Sequence, residues 1–181
     1  MTSENPGVLY PLITEVSEIF KKTGKPFWLA GGYSLDLFLG RITRAHEHLD
    51  FVVKREDQLW QKGHFYELPV HNIWCRKNET SAWDLEILFS EFEGDEWVYR
   101  RNNSIRGPMS SFSWITGGGL VVLAPEIQLL YKSRSKRPKD FQDLHNCLPK
   151  LTAQKKKTLK EWIKLDSGID HPWVPLIKDE S

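Results

Sequence analysis

The first part of the chain repeats its apolar residues with a helical period. In residues 8–22 one helix face carries the apolar side chains Leu9, Leu12, Ile13, Val16, Ile19 and Phe20. Gly24 and Pro26 follow, and both residue types end helices. The apolar run 27–30 then predicts a short buried strand that stops at Gly31-Gly32, and residues 33–39 predict a second helix that ends at Gly40.

Strand patterns dominate the next stretch. Residues 48–54 predict a strand, residues 58–62 a short helix or turn, and residues 73–77 another strand. Residues 83–89 alternate apolar Trp83, Leu85, Ile87 and Phe89 with polar Asp84 and Glu86. This alternation is typical of a strand with one face in the core and one open face. Gly94-Asp95 then predicts a turn before residues 96–100.

The last third of the chain favours helices. Pro125 suits the first position of a helix that we expect to run to Tyr131. Residues 141–148 and 153–165 predict two more helices, and residues 134–139 form a basic connection before them. Strands first and helices last indicate an α+β fold. We therefore predict a core in residues 1–112 and a C-terminal helical region, 113–181, packed on it.

Composition narrows the class of protein. The 181 residues are 40% hydrophobic and carry a net charge of +1, without the basic excess of a general nucleic-acid binder. No apolar stretch approaches the ~20 residues of a membrane span, and the N-terminus lacks the pattern of a signal peptide. Cys75 and Cys147 lack metal-ligand spacing and are interpreted as reduced thiols, with a disulfide as the alternative. We expect a cytoplasmic protein and leave the oligomeric state open.

The first candidate chemistry is a phosphate site in the segment 28–57. Gly31 and Gly32 follow a strand and precede a helix, so the backbone can approach a ligand closely, and the N–H groups of the helix can bind phosphate. The alternative is a tight strand-to-helix turn. Arg41 and Arg44 are three residues apart and can reach one anion with planar guanidinium groups. The alternative for them is a solvated basic face.

The second candidate is a metal site. Residues 48 and 50 share a strand face, so His48 and Asp50 point the same way, and Glu86 projects with Asp84 from the polar face of another strand. Metal-dependent phosphoryl transfer needs converging carboxylates, because Mg²⁺ prefers oxygen ligands. We predict Asp50 and Glu86 as catalytic residues, and these two with His48 as metal ligands. For each acid alone, a solvated strand residue is the alternative.

A set of motifs runs in order along nearly the whole chain: Trp28, Ala30-Gly31-Gly32, Leu35-Asp36, Gly40-Arg41, Thr43-Arg44, His46, Asp50, Trp83-Asp84-Leu85-Glu86, Glu96-Trp97-Val98-Tyr99-Arg100-Arg101, Leu123-Ala124-Pro125-Glu126, Leu129-Leu130-Tyr131-Lys132, Lys139-Asp140, Asp143 and His171-Pro172-Trp173. In this set and order the chain resembles the aminoglycoside adenylyltransferase-like nucleotidyltransferases. That group includes the 2″-adenylyltransferases and the small lincosamide nucleotidyltransferases.

The resemblance implies a nucleotidyltransferase fold, with a mixed β-sheet flanked by helices and a C-terminal helical part. It implies transfer of a nucleoside monophosphate, AMP from ATP or the equivalent from another nucleoside triphosphate, to a hydroxyl of an aminoglycoside- or lincosamide-like small molecule with Mg. By the same resemblance, Gly31 and Gly32 lie near the phosphates, and Glu86 is a metal ligand or the base for the hydroxyl. Lys132 and Lys139 match positions that contact phosphate or pack the helical part.

The chain departs from the family pattern at one metal position. The family reads His-x-Asp-x-Asp, and this chain reads His46-Glu47-His48-Leu49-Asp50. Imidazole is a poorer Mg²⁺ ligand than carboxylate, so Mn is the alternative metal. Glu47 faces the other way unless the strand has a bulge.

With His48 in place of the family's first metal-binding acid, three functions are possible for this chain. The first is an active nucleotidyltransferase, and the second is a catalytically weakened member that binds nucleotide without turnover. The third is a nucleotidyltransferase toxin or regulator that acts on RNA, against which the near-neutral charge argues.

Overall fold

The computed structural model describes residues 11–58, 66–76, 78–81, 84–135 and 137–178. Five helices form in this part of the chain: α1 (Pro11–Lys21), α2 (Gly31–Leu39), α3 (Pro125–Ser133), α4 (Pro138–Cys147) and α5 (Ala153–Ser167). Eight strands accompany them: β1 (Phe27–Ala30), β2 (Leu49–Lys54), β3 (Asn72–Cys75), β4 (Leu85–Glu93), β5 (Glu96–Val98), β6 (Arg106–Pro108), β7 (Ser113–Ile115) and β8 (Val121–Leu123).

The strands form one sheet in the order β6-β5-β4-β2-β1-β8-β7, and β3 pairs with the first half of β4. The pairs β2–β4 and β1–β8 are parallel, and the other pairs are antiparallel. The α+β class and the mixed sheet flanked by helices are therefore confirmed.

Each face of the sheet is covered by a different set of helices. Odd-numbered positions of β1, β2 and β4, such as Leu29, Phe51 and Ile87, pack against Ile13 and Phe20 of α1. The opposite face packs against the C-terminal helices through a second cluster that contains Trp28, Val52, Leu123, Ile127, Leu130, Leu144, Leu159 and Ile163. The strand period of two explains this division, because successive side chains point to opposite faces.

Several element bounds differ from the sequence prediction. Helix α2 begins at Gly31 rather than at residue 33, so both glycines lie in its first turn. Strand β4 continues to Glu93, beyond the predicted end at residue 89. Helix α4 begins at Pro138, inside the predicted connection, because the fixed φ of proline suits the first helical position. The predicted bounds at residues 8–10, 59–62, 77 and Trp83 lie outside the described residues.

The C-terminal helices of the described chain begin at Pro125. Residues 113–115 and 121–123 form β7 and β8, and β8 pairs directly with β1. The boundary between the predicted core (1–112) and the predicted C-terminal region (113–181) stays a prediction. Strands β7 and β8 lie after this boundary and complete the sheet. Both cysteines are free thiols. Among the described residues, none of the helices is both long and apolar enough to cross a membrane.

Candidate metal and nucleotide site

One row of side chains crosses the sheet at the candidate site. Strand register places Ala30 beside Asp50, Asp50 beside Glu86, and Glu86 beside Trp74. Residues that are paired in this way project from the same face of the sheet. The row lies on the face that the C-terminal helices cover, and His48 immediately precedes β2. The structure therefore brings together the three predicted metal ligands, which the sequence places up to 38 residues apart.

The three ligand atoms form a compact cluster. His48 Nε2 lies 3.4 Å from Asp50 Oδ1 and 3.8 Å from Glu86 Oε2. All three residues offer ligand atoms within 4.8 Å of one another. Asn72 Nδ2 donates a hydrogen bond to Glu86 Oε1, and the Trp74 ring meets the His48 ring edge-on at 4.7 Å. These neighbours restrict the orientation of Glu86 and His48.

Two groups of this cluster, Glu86 and His48, have raised pKa values. Burial, followed by the hydrogen bond and charge of Asp50, raises the pKa of Glu86 to about 7. The hydrogen bond to Asp50 raises the pKa of the His48 imidazole above its ordinary value, although burial opposes this shift. A metal ion that binds here must displace these protons, because it needs a neutral imidazole and an ionised carboxylate.

The donor set fits a divalent cation. Two carboxylates and one imidazole nitrogen are suitable ligands for a first-row divalent metal, and the nitrogen favours Mn²⁺ over Mg²⁺. Glu47 lines the neighbouring cavity. It precedes β2, whose pairing with β4 runs without a bulge from Leu49 to Lys54. In the part of the chain that the structure describes, Glu47 is outside the cluster of possible metal ligands.

The two glycines are needed for close packing around the cluster. A Cβ on Gly31 would lie 1.8 Å from Asp50 Oδ2, and a Cβ on Gly32 would lie 2.2 Å from His46 Nδ1. Gly31 also has a φ of +70°, which L side chains rarely adopt. Its N–H donates to Gln128 Oε1 at 2.7 Å. The Gly31 N–H is therefore used within the protein, and the phosphate site at this helix N-terminus stays a prediction.

A buried pair supports the loop between α2 and β2. His46 Nε2 lies 2.6 Å from Asp36 Oδ2, and the Thr43 hydroxyl donates to Asp36 Oδ1 at 2.6 Å. Burial tends to raise the pKa of Asp36, but the hydrogen bonds from His46 and Thr43 outweigh it and hold that pKa below its ordinary value. This arrangement fixes His46 against Gly32. Sequence reasoning matched Asp36 and His46 to the family but assigned neither a role.

A cavity of about 580 Å³ opens over the cluster. Gly31, Gly32, Arg44 and Lys132, which the sequence analysis assigned to a nucleotide site, line it. Arg41 is exposed and is not among the lining residues. Arg44 Nη2 and Lys132 Nζ both contact Asp143 Oδ2, at 3.2 Å and 2.9 Å. The buried Asp143 thus holds two cations at the cavity wall.

Sequence reasoning missed most of the cationic wall of this cavity. The additional lining residues are Arg100, Arg101, Arg134 and Arg137, with Tyr131 and Ser90 beside them. Their elements, β5 and the C-terminal helices, are remote from Asp50 in sequence. The adjacent pair Arg100-Arg101, which belongs to the motif set of the sequence analysis, was the available signal.

Comparisons with known proteins found a matching family model and similar solved structures. Residues 12–64 match the family model described as aminoglycoside-2''-adenylyltransferase. The crystal structure of ANT(2'')-Ia in complex with adenylyl-2''-tobramycin is similar with a TM-score of 0.56 and 12% identity, over 87% of this chain and 98% of that one. The lincomycin-bound crystal structure of the lincosamide adenylyltransferase LnuA is similar with a TM-score of 0.51 and 17% identity, over 74% and 92%.

A curated relative is the valine–tRNA ligase of Symbiobacterium thermophilum, which is 27% identical over 121 residues. That match covers 65% of this chain but only 11% of the ligase, so the chain spans about a tenth of this relative. The predicted resemblance to the adenylyltransferases is confirmed by the family model, and the nucleotidyltransferase fold is confirmed by the two solved structures.

Proposed function

We propose that this chain is a nucleotidyltransferase that transfers a nucleoside monophosphate, AMP from ATP, to a hydroxyl of a small molecule. The observation that carries the proposal is the convergence of His48, Asp50 and Glu86 beside Gly31-Gly32 in a cavity with cationic walls. A divalent metal, a nucleoside triphosphate and a hydroxyl compound are the ligands that this combination suits. The solved relatives carry adenylyl-tobramycin and lincomycin, which are small molecules.

His48, Asp50 and Glu86 would hold the metal ion. A bound divalent ion supplies positive charge that orients the phosphates and neutralises the charge that develops during phosphoryl transfer. Asp50 is the central ligand, because it neighbours both the Gly31 backbone and the other two ligands. The contribution of the chain is to hold these donors on adjacent strands, where little rearrangement is needed.

Gly31-Gly32, called the glycine turn below, would bind the triphosphate together with Arg44 and Lys132. The absence of side chains at Gly31 and Gly32 leaves the wall open beside Asp50. Arg44 and Lys132 face the same cavity, and their shared contact with Asp143 fixes their positions before a ligand arrives. Such preorganised cations stabilise phosphate charge at little reorganisation cost.

Glu86 would act as the base. Without a metal, burial and Asp50 raise the pKa of this carboxyl to about 7, and with a metal the group would be ionised and able to accept a proton. In the proposed step, the acceptor oxygen bonds to the α-phosphorus while the bond to the bridging oxygen of pyrophosphate breaks. Pyrophosphate leaves, and the hydroxyl proton passes to a Glu86 carboxylate oxygen. Asn72 donates to the other oxygen and orients the group.

A specific observation favours a second candidate, a nucleotide-binding protein without turnover. The His48 imidazole lies against both carboxylates, and its pKa is raised by Asp50. When protonated, His48 itself supplies positive charge to the cluster and excludes a metal ion. In that state the cavity can bind nucleotide but lacks the metal that the transfer requires.

The test is transfer from ATP labelled at the α-phosphate, with Mn²⁺ or Mg²⁺ and a panel of hydroxyl compounds, followed by mass detection of products and measurement of pyrophosphate. We expect acceptor-dependent pyrophosphate release that falls by about 100-fold or more in Glu86→Gln, the usual loss when a general base is removed. Asp84→Asn is the matched control, because Asp84 does not line the cavity. Nucleotide binding without transfer supports the second candidate, and no nucleotide binding rejects both.

A further inference from the structure

Some cationic side chains of the cavity contact a carboxylate of the described chain, and others do not. Among the described lining residues, seven are cationic and three are carboxylates. Four of the cations already contact acids: Arg44 with Asp143, Lys132 with Asp140 and Asp143, Arg134 with Asp166, and Arg137 with Asp140. The other three, Arg100, Arg101 and Lys139, make no ion pair with any residue that the structure describes.

Arg100 is the most informative of these three. Its guanidinium is half-buried, lies 5.9 Å from the centre of the Tyr131 ring, and donates no hydrogen bond to a described residue. A guanidinium has five N–H donors, and leaving them unused in a partly buried place is costly. Burial lowers the pKa of Arg100, which agrees with an environment that disfavours its charge. Neighbouring Arg101 lies 5.6 Å from the same ring centre.

The Arg100–Arg101 pair is remote from the glycine turn. Arg100 follows β5, whereas Gly31 follows β1, and the sheet order β5-β4-β2-β1 separates them by three strand spacings. At ~4.8 Å per spacing this is about 14 Å. The charge of a nucleotide is concentrated in its triphosphate, which the proposed function places beside Gly31. The pair can therefore contact a negative group other than the triphosphate.

Strand β4 connects the pair to the proposed base. Glu86, Leu88 and Ser90 alternate along β4, so all three face the cavity and line it. Tyr131, which interacts with Ser90, closes the far end of this strand face beneath the two arginines. The strand face from Glu86 to Ser90 spans about 13 Å at ~3.3 Å per residue. Because the Glu86 and Arg100 side chains both line the cavity, a shorter molecule with a hydroxyl near Glu86 can direct its other end toward Arg100.

We propose that Arg100 and Arg101 bind an anionic group of the acceptor, so that the acceptor is a hydroxyl compound bearing a phosphate or carboxylate rather than a polyamine. This proposal rests on the proposed function, because it assumes that the hydroxyl lies at Glu86. A polycationic acceptor such as an aminoglycoside would place its ammonium groups against Arg100 and Arg101, whose charges no described acid neutralises, and like-charge repulsion disfavours this.

The test compares three hexoses of different charge by isothermal titration calorimetry: glucose 6-phosphate, glucose and glucosamine. Each is titrated with and without Mn²⁺ and α,β-methylene-ATP, an analogue that cannot transfer AMP. We expect glucose 6-phosphate to bind at least tenfold more tightly than the other two. Arg100→Gln should remove this preference while changing the affinity for α,β-methylene-ATP by less than twofold. Arg106→Gln, an arginine outside the cavity, is the matched control.

Two results would overturn the proposal. One is glucosamine or glucose binding as tightly as glucose 6-phosphate. The other is an Arg100→Gln variant that loses nucleotide affinity tenfold, which would assign Arg100 to the triphosphate. The nucleotide titration of the unchanged chain tests the proposed function separately, and glucose 6-phosphate binding without nucleotide tests the anion site even if that function fails. Arg100→Gln should also melt close to the unchanged chain, because Arg100 makes no ion pair with a described residue.

Discussion

Replacing Gly31 by alanine should damage the site through a single added carbon atom. Gly31 has a φ of +70°, and its added Cβ would lie 1.8 Å from Asp50 Oδ2 and 2.5 Å from Asp50 Cγ. The backbone term for an L residue in the left-handed region is about 1–2 kcal/mol. The steric term for inserting an extra methyl into a packed place is about 1–3 kcal/mol. We therefore expect Gly31→Ala to lower the free energy of unfolding by about 2–5 kcal/mol.

The chain contains a matched control for the backbone term. Gly24 has a φ of +66°, close to that of Gly31, but nothing lies within 4 Å of its added Cβ. Gly24→Ala should therefore cost only about 1–2 kcal/mol. Urea denaturation of both variants measures the two free energies, and their difference is the steric contribution of Asp50.

A double-mutant cycle identifies the contact itself. Asp50→Ala removes the carboxylate atoms that the new Cβ meets, so Gly31→Ala should cost less in that background than in the unchanged chain. Gly31→Ala should also weaken Mn²⁺ binding, because it displaces Asp50 from His48 and Glu86. If Gly31→Ala destabilises the protein no more than Gly24→Ala does, then the close approach of Asp50 to the glycine turn is refuted.

Three further variants test the site. His48→Asp should raise Mg²⁺ affinity by about tenfold or more in calorimetric titration, because a unit charge ~4 Å from another is worth about 4 kcal/mol near a protein surface; equal affinities would contradict this. Mn²⁺ affinity should increase from pH 6 to 8, because the Glu86 carboxyl, with a pKa of about 7, loses its proton over this range. Glu86→Gln should flatten that increase. If the Mn²⁺ affinity of this variant depends on pH as in the unchanged chain, titration of Glu86 is not the cause. Arg44→Ala should weaken nucleotide binding by about 1–3 kcal/mol in a fluorescence titration. Arg41→Ala, which alters an exposed residue outside the cavity lining, should leave the affinity unchanged. Equal effects of the two variants would argue against Arg44 as a nucleotide-binding residue.

Local patterns were sufficient for much of the fold. The alternation at Leu85, Ile87 and Phe89 predicted β4, and Pro125 predicted the start of α3. These signals depend on side chains a few residues apart, which is the distance over which strand and helix periods act. The start of α2 was predicted two residues late, because glycine is normally a helix breaker. The contact between Gly31 and Asp50, which excludes a Cβ at residue 31, joins residues 19 apart and is not a local signal.

The sequence predicted the acidic half of the candidate site and, in its cationic half, Arg44 and the family-matched Lys132 and Lys139. His48 and Asp50 are two residues apart at the start of β2, and the alternation in residues 83–89 placed Glu86 on a polar strand face. The cationic half depends on which helices pack over the sheet, so the neighbours of Arg100 and Arg101 could not be read from local spacing. Sequence also gave no indication that Asp143 pairs with both Arg44 and Lys132, because 99 residues separate Arg44 from Asp143.

The most direct test of the account is anomalous diffraction at the manganese edge from crystals of the chain grown with Mn²⁺ and α,β-methylene-ATP. The account predicts a manganese peak bounded by His48 Nε2, Asp50 and Glu86, with the triphosphate of the analogue beside Gly31-Gly32. A nucleotide in this cavity without manganese at the three ligands would contradict the metal site and leave nucleotide binding alone. Manganese or nucleotide bound elsewhere on the protein would contradict the central claim that this cavity is the active site.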